Sequence, residues 1–90
     1  MYKGMKIECA AIMSAVDGKV HSVPQPGRHH DVIREMVELG YDKPIRGEQG
    51  FVTNTGLFVR RVPAKNIARE VGQLLERAMD HRQLYSEDVW

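Results

Sequence analysis

Two clusters of cations in this chain have the makings of an anion site: Arg28-His29-His30, followed by Asp31, and Arg60-Arg61. Each stands where a helix is expected to begin. Backbone N–H groups at a helix start are unpaired and the macrodipole is positive there, so a misplaced cation costs roughly 0.3–1 kcal/mol if unscreened. A docked anion reverses that sign, because N–H groups and cations then converge on it. The occupant this suggests is a phosphate-bearing ligand. On that reading, Arg28→Ala weakens binding and leaves the unliganded fold intact or slightly more stable. The structural alternative is that Arg28 pairs with a nearby acid. His29, four residues before Ile33, then lies half-buried on the core side. Arg60 and Arg61 alternate faces if they close a strand, so only one is expected to point into a given site.

Other chemistry finds less support. His29 and His30 are adjacent and diverge around a helix, so they cannot chelate one metal as an i, i+4 pair does. Cys9 and His21 lack zinc spacing. His30-Asp31 has the look of a metal phosphohydrolase pair, but a chain of 90 residues has little room for the further ligands. No Ser or Cys sits in a nucleophile elbow, and the glycines occur singly rather than in a phosphate-cradling loop. The expectation is a binding module, not an enzyme, with no cofactor and no metal.

The elements that must position these residues follow from periodicity. Met5, Ile7 and Cys9 alternate with Lys6 and Glu8 as a strand with one wet face. From Ala10 to Val16 both faces turn apolar, as in the middle of a sheet. Asp17-Gly18 signals a hairpin, with a return strand at Lys19–Val23. Pro24-Gln25-Pro26-Gly27 is a connector. A helix is expected from about Arg28 to Leu39, its apolar positions Val32, Ile33, Met36, Val37 and Leu39 fitting a 3.6 period, with Gly40 as its C-cap. Tyr41–Gln49 reads as a polar loop. Phe51–Thr53 and Leu57–Arg61 read as short strands joined by Asn54-Thr55-Gly56. Pro63 suits a first helical turn, and Ala64, Ile67, Ala68, Val71, Leu74, Leu75 and Ala78 make the stripe of a long second helix that Gly72 interrupts. The order β-β-α-β-β-α gives an α+β fold, a small twisted antiparallel sheet with two helices, in a single domain over 1–90.

Composition narrows the partners. Thirteen basic against twelve acidic side chains give a net charge of +1, too little excess for duplex nucleic acid. No apolar run approaches the roughly 18 residues of a membrane span. One cysteine excludes an internal disulfide, and Lys3, Lys6 and Glu8 interrupt any signal-peptide pattern, so a cytoplasmic location is expected. So short a chain buries a small fraction of its surface, which favours self-association. The tail, with Tyr85 and Trp90, reads either as a frayed end or as a docked segment; large aromatics favour docking, with a neighbouring subunit as the candidate surface.

Four segments together resemble a known family: Pro26 to Ile33, Gln49-Gly50-Phe51-Val52 with Gly56 to Arg61, Ala64 to Gln73, and Leu84-Tyr85-Ser86-Glu87-Asp88-Val89-Trp90. The chain is similar, from about Met5 to Trp90, to the small phage proteins that include the first Thoeris anti-defence protein, a sponge for cyclic ADP-ribose signals. The resemblance implies an α+β homo-oligomer that captures glycocyclic ADP-ribose, or in some relatives cyclic oligonucleotides, without hydrolysis. By position it implies that Arg28 and His29 contact phosphate or ribose and that Phe58 packs on the base. Arg61 is then a phosphate contact, while Leu84 and Asp88 complete the pocket. The chain departs from the family pattern at Arg60-Arg61-Val62-Pro63, where relatives often carry an acid-arginine pair followed by acids. The alternative is a small phage interaction protein that binds a host protein through its tail and helix.

Overall fold

The computed structural model describes residues 4–75 and 83–90. Strands β1 (Ile7–Ser14), β2 (Val20–Pro24), β3 (Gly47–Thr53) and β4 (Phe58–Arg60) form one antiparallel sheet in the order β2-β1-β3-β4. Helix α1 (His29–Glu38) links β2 to β3, and α2 (Arg61–Glu70) follows β4 directly. A 3₁₀ turn at Ser86–Asp88 ends the chain. The order β-β-α-β-β-α is the one the periodicity predicts.

Both helices lie on one face of the sheet. Ala10 and Phe51 are directly opposed on β1 and β3 and so share a face. Ala10 packs with Val32 and Met36 of α1, while Phe51 packs with Ala64, Ile67 and Ala68 of α2. A bulge between Ile7 and Cys9 turns Ile7 to this face as well. Ile7 and Cys9 therefore face opposite ways, where strict alternation puts them together: Ile7 pairs with Thr53 and Cys9 with Val52.

Several expected boundaries shift. Pro24, expected in the connector, is the last residue of β2 opposite Cys9, an edge-strand end where the missing N–H is tolerated. β1 ends at Ser14, and Val16 lies in the hairpin loop, 77% exposed. β3 begins at Gly47 inside the expected polar loop, because pairing with Ser14, Met13 and Ile12 of β1 uses backbone groups and tolerates polar side chains. α2 stops at Glu70. Gly72 does not interrupt it; at φ +73° it donates to the Arg69 carbonyl, and Gln73 N–H donates to the Ala68 carbonyl, a glycine-dependent C-terminal cap. The end of α1 repeats the arrangement at Gly40. Ala78, which the long helix was expected to include, lies outside the described residues.

The last residue closes the core. Trp90 packs against both apolar clusters, the one under α1 and the one under α2. Its ring stands edge-on to Phe51, 6.2 Å between centroids, and its Nε1–H donates to the Gly27 carbonyl at 2.7 Å. Truncating a core tryptophan to alanine costs about 3–5 kcal/mol, and Trp90 is only half-buried, so Trp90→Ala is expected to cost roughly 2–4 kcal/mol. A urea titration checks this; an unchanged midpoint removes Trp90 from the core.

Candidate functional site

α1 begins at an N-cap that cannot accept a hydrogen bond, since an arginine side chain has only donors. Asp31 supplies the missing acceptor: its carboxylate takes the Arg28 backbone N–H at 2.9 Å and the Arg34 guanidinium at 2.6 Å. That frees the Arg28 guanidinium to donate across the chain to the Trp90 carbonyl oxygen at 2.8 Å. The charge mismatch expected at Arg28 is thus already met in the fold. Its removal is expected to lower stability rather than leave it unchanged or raise it.

His29 is buried, 8% exposed, and its Nε2–H donates to the Gly50 carbonyl at 2.8 Å. Its ring stands edge-on to Phe51, 5.0 Å between centroids. It fastens the start of α1 to β3, the core role that its spacing from Ile33 suggested.

Arg61 is the first residue of α2 rather than the last of a strand. Its guanidinium lies over the Tyr85 ring at 4.6 Å and donates to Gln49 Oε1. Its Nε is buried and has no hydrogen-bond acceptor among the described residues. The first turn of α2 carries no acid and no side-chain cap.

Arg28, His29, His30, Arg61, Tyr85 and Ser86 line one cleft of about 210 Å³. The cationic starts of both helices therefore meet at a single place. A wider neighbouring cleft of about 500 Å³ lies between the starts of β3 and α2, lined among others by Glu48, Gln49, Arg60, Arg61 and Pro63. Arg60 and Arg61 both line it, where strand alternation predicted one; the strand-to-helix transition between them breaks the alternation.

The remaining candidates are placed elsewhere. Phe58 pairs with Val52 and its ring covers Gly50, on the sheet face away from the helices. The sheet separates it from Arg28, His29 and Arg61 within one subunit. Leu84 is fully buried in the cluster under α2, and its N–H donates to the Arg61 carbonyl at 3.0 Å. Asp88 is buried, with one carboxylate oxygen 3.9 Å from Lys65 Nζ and accepting the Tyr85 N–H at 3.0 Å. Leu84 and Asp88 thus hold the tail in place rather than present side chains to the cleft. Tyr85, Ser86 and Gln49 enter the site through tertiary contact; the aromatic tail was the one sequence signal for them. Lys65 gave none, since a lysine at a helix stripe's margin reads as solvated.

A comparison with protein families matches residues 6–90 to the family described as Phage T4 y16D protein. The chain belongs to that family of small phage proteins. Neither the curated proteins nor the solved structures give a match to it. No helix among the described residues is long and apolar enough to cross a membrane. No described group of three or more His, Cys, Asp or Glu is placed to hold a metal.

Two predictions follow from these contacts. Lys65 and Asp88 have side chains only 2% and 4% exposed, so Lys65→Met takes the cation away from a buried carboxylate and is expected to cost about 3–5 kcal/mol. Adding Asp88→Asn to Lys65→Met removes the charge and keeps an amide oxygen for the Tyr85 N–H, and should recover part of that cost in a urea titration. A double variant as unstable as the single one overturns the pairing. The second concerns Asp31, whose carboxyl the Arg28 N–H, and then the His30 and Arg34 charges, hold below its ordinary value. Its contribution is complete above the unfolded-state pKa of about 3.9 and is lost as pH falls through the lower folded value. The melting-temperature gap between the protein and Asp31→Asn should therefore narrow as pH drops below about 4. A gap that stays constant or widens contradicts the cap.

Proposed function

We propose that this protein is a phage anti-defence sponge that captures a cyclic nucleotide immune signal, glycocyclic ADP-ribose or a cyclic oligonucleotide, and holds it without hydrolysis. The observation that carries this reading is the meeting of two cationic helix starts, Arg28 to His30 and Arg60-Arg61, at two clefts that share Arg61. Arg61, whose buried Nε–H meets no acceptor among the described residues, forms the wall between them. Guanidinium groups and first-turn N–H groups neutralise phosphate. Tyr85, at the edge of the smaller cleft, offers an aromatic surface to a base. Phe58 can join only from a second subunit, which ties its role to self-association. Trapping of this kind needs no nucleophile and no metal.

Thermal-shift titration with glycocyclic ADP-ribose and with cyclic oligonucleotides tests the reading, followed by heat release and chromatography of the ligand. Intact ligand is expected. Arg61→Ala should weaken binding by about 1.5–3 kcal/mol, roughly ten- to a hundredfold. Light scattering of the same samples should give a dimer or larger. Linearised product formed with turnover would make the protein an enzyme, and no response to any nucleotide would favour the interaction protein. Val16 and Leu39, 77% and 67% exposed and lining a common cleft beside Tyr41, give that second reading its surface, in place of the docked tail.

A further inference from the structure

We propose that docking of the C-terminal strap, Gln83–Trp90, and occupation of the anion cleft are one coupled equilibrium: the strap builds a wall of the cleft, and an anion in the cleft tightens the strap. The inference rests on the anion-binding reading of the cleft and goes beyond it, since it assigns the strap a ligand-dependent closure.

Both arginines of the cleft also grip the strap. Arg28 donates to the Trp90 carbonyl at 2.8 Å. Arg61 accepts the Leu84 N–H on its own carbonyl at 3.0 Å and lays its guanidinium over the Tyr85 ring at 4.6 Å. The strap in turn contributes Tyr85 and Ser86 to the lining, so the cleft is complete only when the strap is docked. Arg28 thus touches the strap and lines the cleft at once, and its guanidinium is a rigid plane whose orientation both share. Whichever partner binds first fixes the plane and reduces the ordering cost left to the second. By linkage the coupling is reciprocal: strap docking raises anion affinity by the factor by which the anion favours docking.

The strap's other anchors lie off the cleft. Trp90 Nε1–H holds the Gly27 carbonyl, one residue before the α1 N-cap, and Asp88 faces Lys65. A change at one of these anchors should therefore reach the ligand without touching it.

Trp90 is the sole tryptophan of the chain, so its fluorescence reports strap docking directly. The experiment follows acrylamide quenching of Trp90 in the full-length protein while inorganic pyrophosphate is titrated at constant ionic strength, with binding measured in parallel by calorimetry. The expected result is a saturable fall in the quenching constant, about twofold, with the same midpoint as binding. Trp90→Phe, which keeps the ring and loses the bond to Gly27, should weaken pyrophosphate binding severalfold. Pyrophosphate that binds while quenching stays unchanged overturns the strap proposal and leaves the sponge reading standing. Protection by pyrophosphate with no binding of glycocyclic ADP-ribose or cyclic oligonucleotides does the reverse. Binding of none of these anions ends both.

Discussion

Trp90 is the piece on which both halves of the core close. A sheet of four short strands with two ten-residue helices leaves two modest apolar clusters, one under each helix. Neither is large, as expected for a chain of this length. The Trp90 ring touches both and stands edge-on to Phe51, itself edge-on to His29. An aromatic at this seam supplies apolar area and an N–H that needs a partner, and the Gly27 carbonyl is that partner. The connector before α1, the start of α1 and the end of the chain are thereby fixed to one another.

That fixation resolves the charges. Arg28 at the positive end of a helix is unfavourable taken alone. In the fold Asp31 meets the dipole and the Trp90 carbonyl meets the guanidinium. Lys65 and Asp88 are expensive to bury separately and are buried together, joining α2 to the strap. Arg61 is different. It has Gln49 and Tyr85 as partners, yet its Nε–H meets no acceptor among the described residues, and its helix starts without an acid. Of the two basic helix starts, the one at α2 is thus the less fully answered by the protein itself, and it borders both clefts.

The tail is where structure and resemblance part most clearly. The resemblance makes Leu84 and Asp88 pocket residues. Here Leu84 is core and Asp88 is an anchor, and Tyr85 and Ser86, two of the residues between them, border the cleft. A 3₁₀ turn accounts for the difference, because it curls Ser86–Asp88 so that neighbouring side chains point to different surroundings.

Much of the fold was legible in the sequence by itself. The apolar run that begins at Ala10, the 3.6 period of Val32, Ile33 and Met36, and glycines at Gly40 and Gly56 are local signals, and local backbone preference suffices to set element type and order. Two cationic helix starts were equally visible, because a charge against a helix dipole is a short-range conflict. What the sequence could not decide were the pairings made across the chain. The bulge that separates Ile7 from Cys9 depends on the register with β3, and the early start of β3 depends on its pairing with Ile12, Met13 and Ser14 of β1. The burial of Lys65, the grip of Arg28 on Trp90 and the removal of Phe58 to the far face of the sheet arise from residues far apart in sequence. Each is settled by which surfaces must leave water together, a property of the assembled layers and of no single segment.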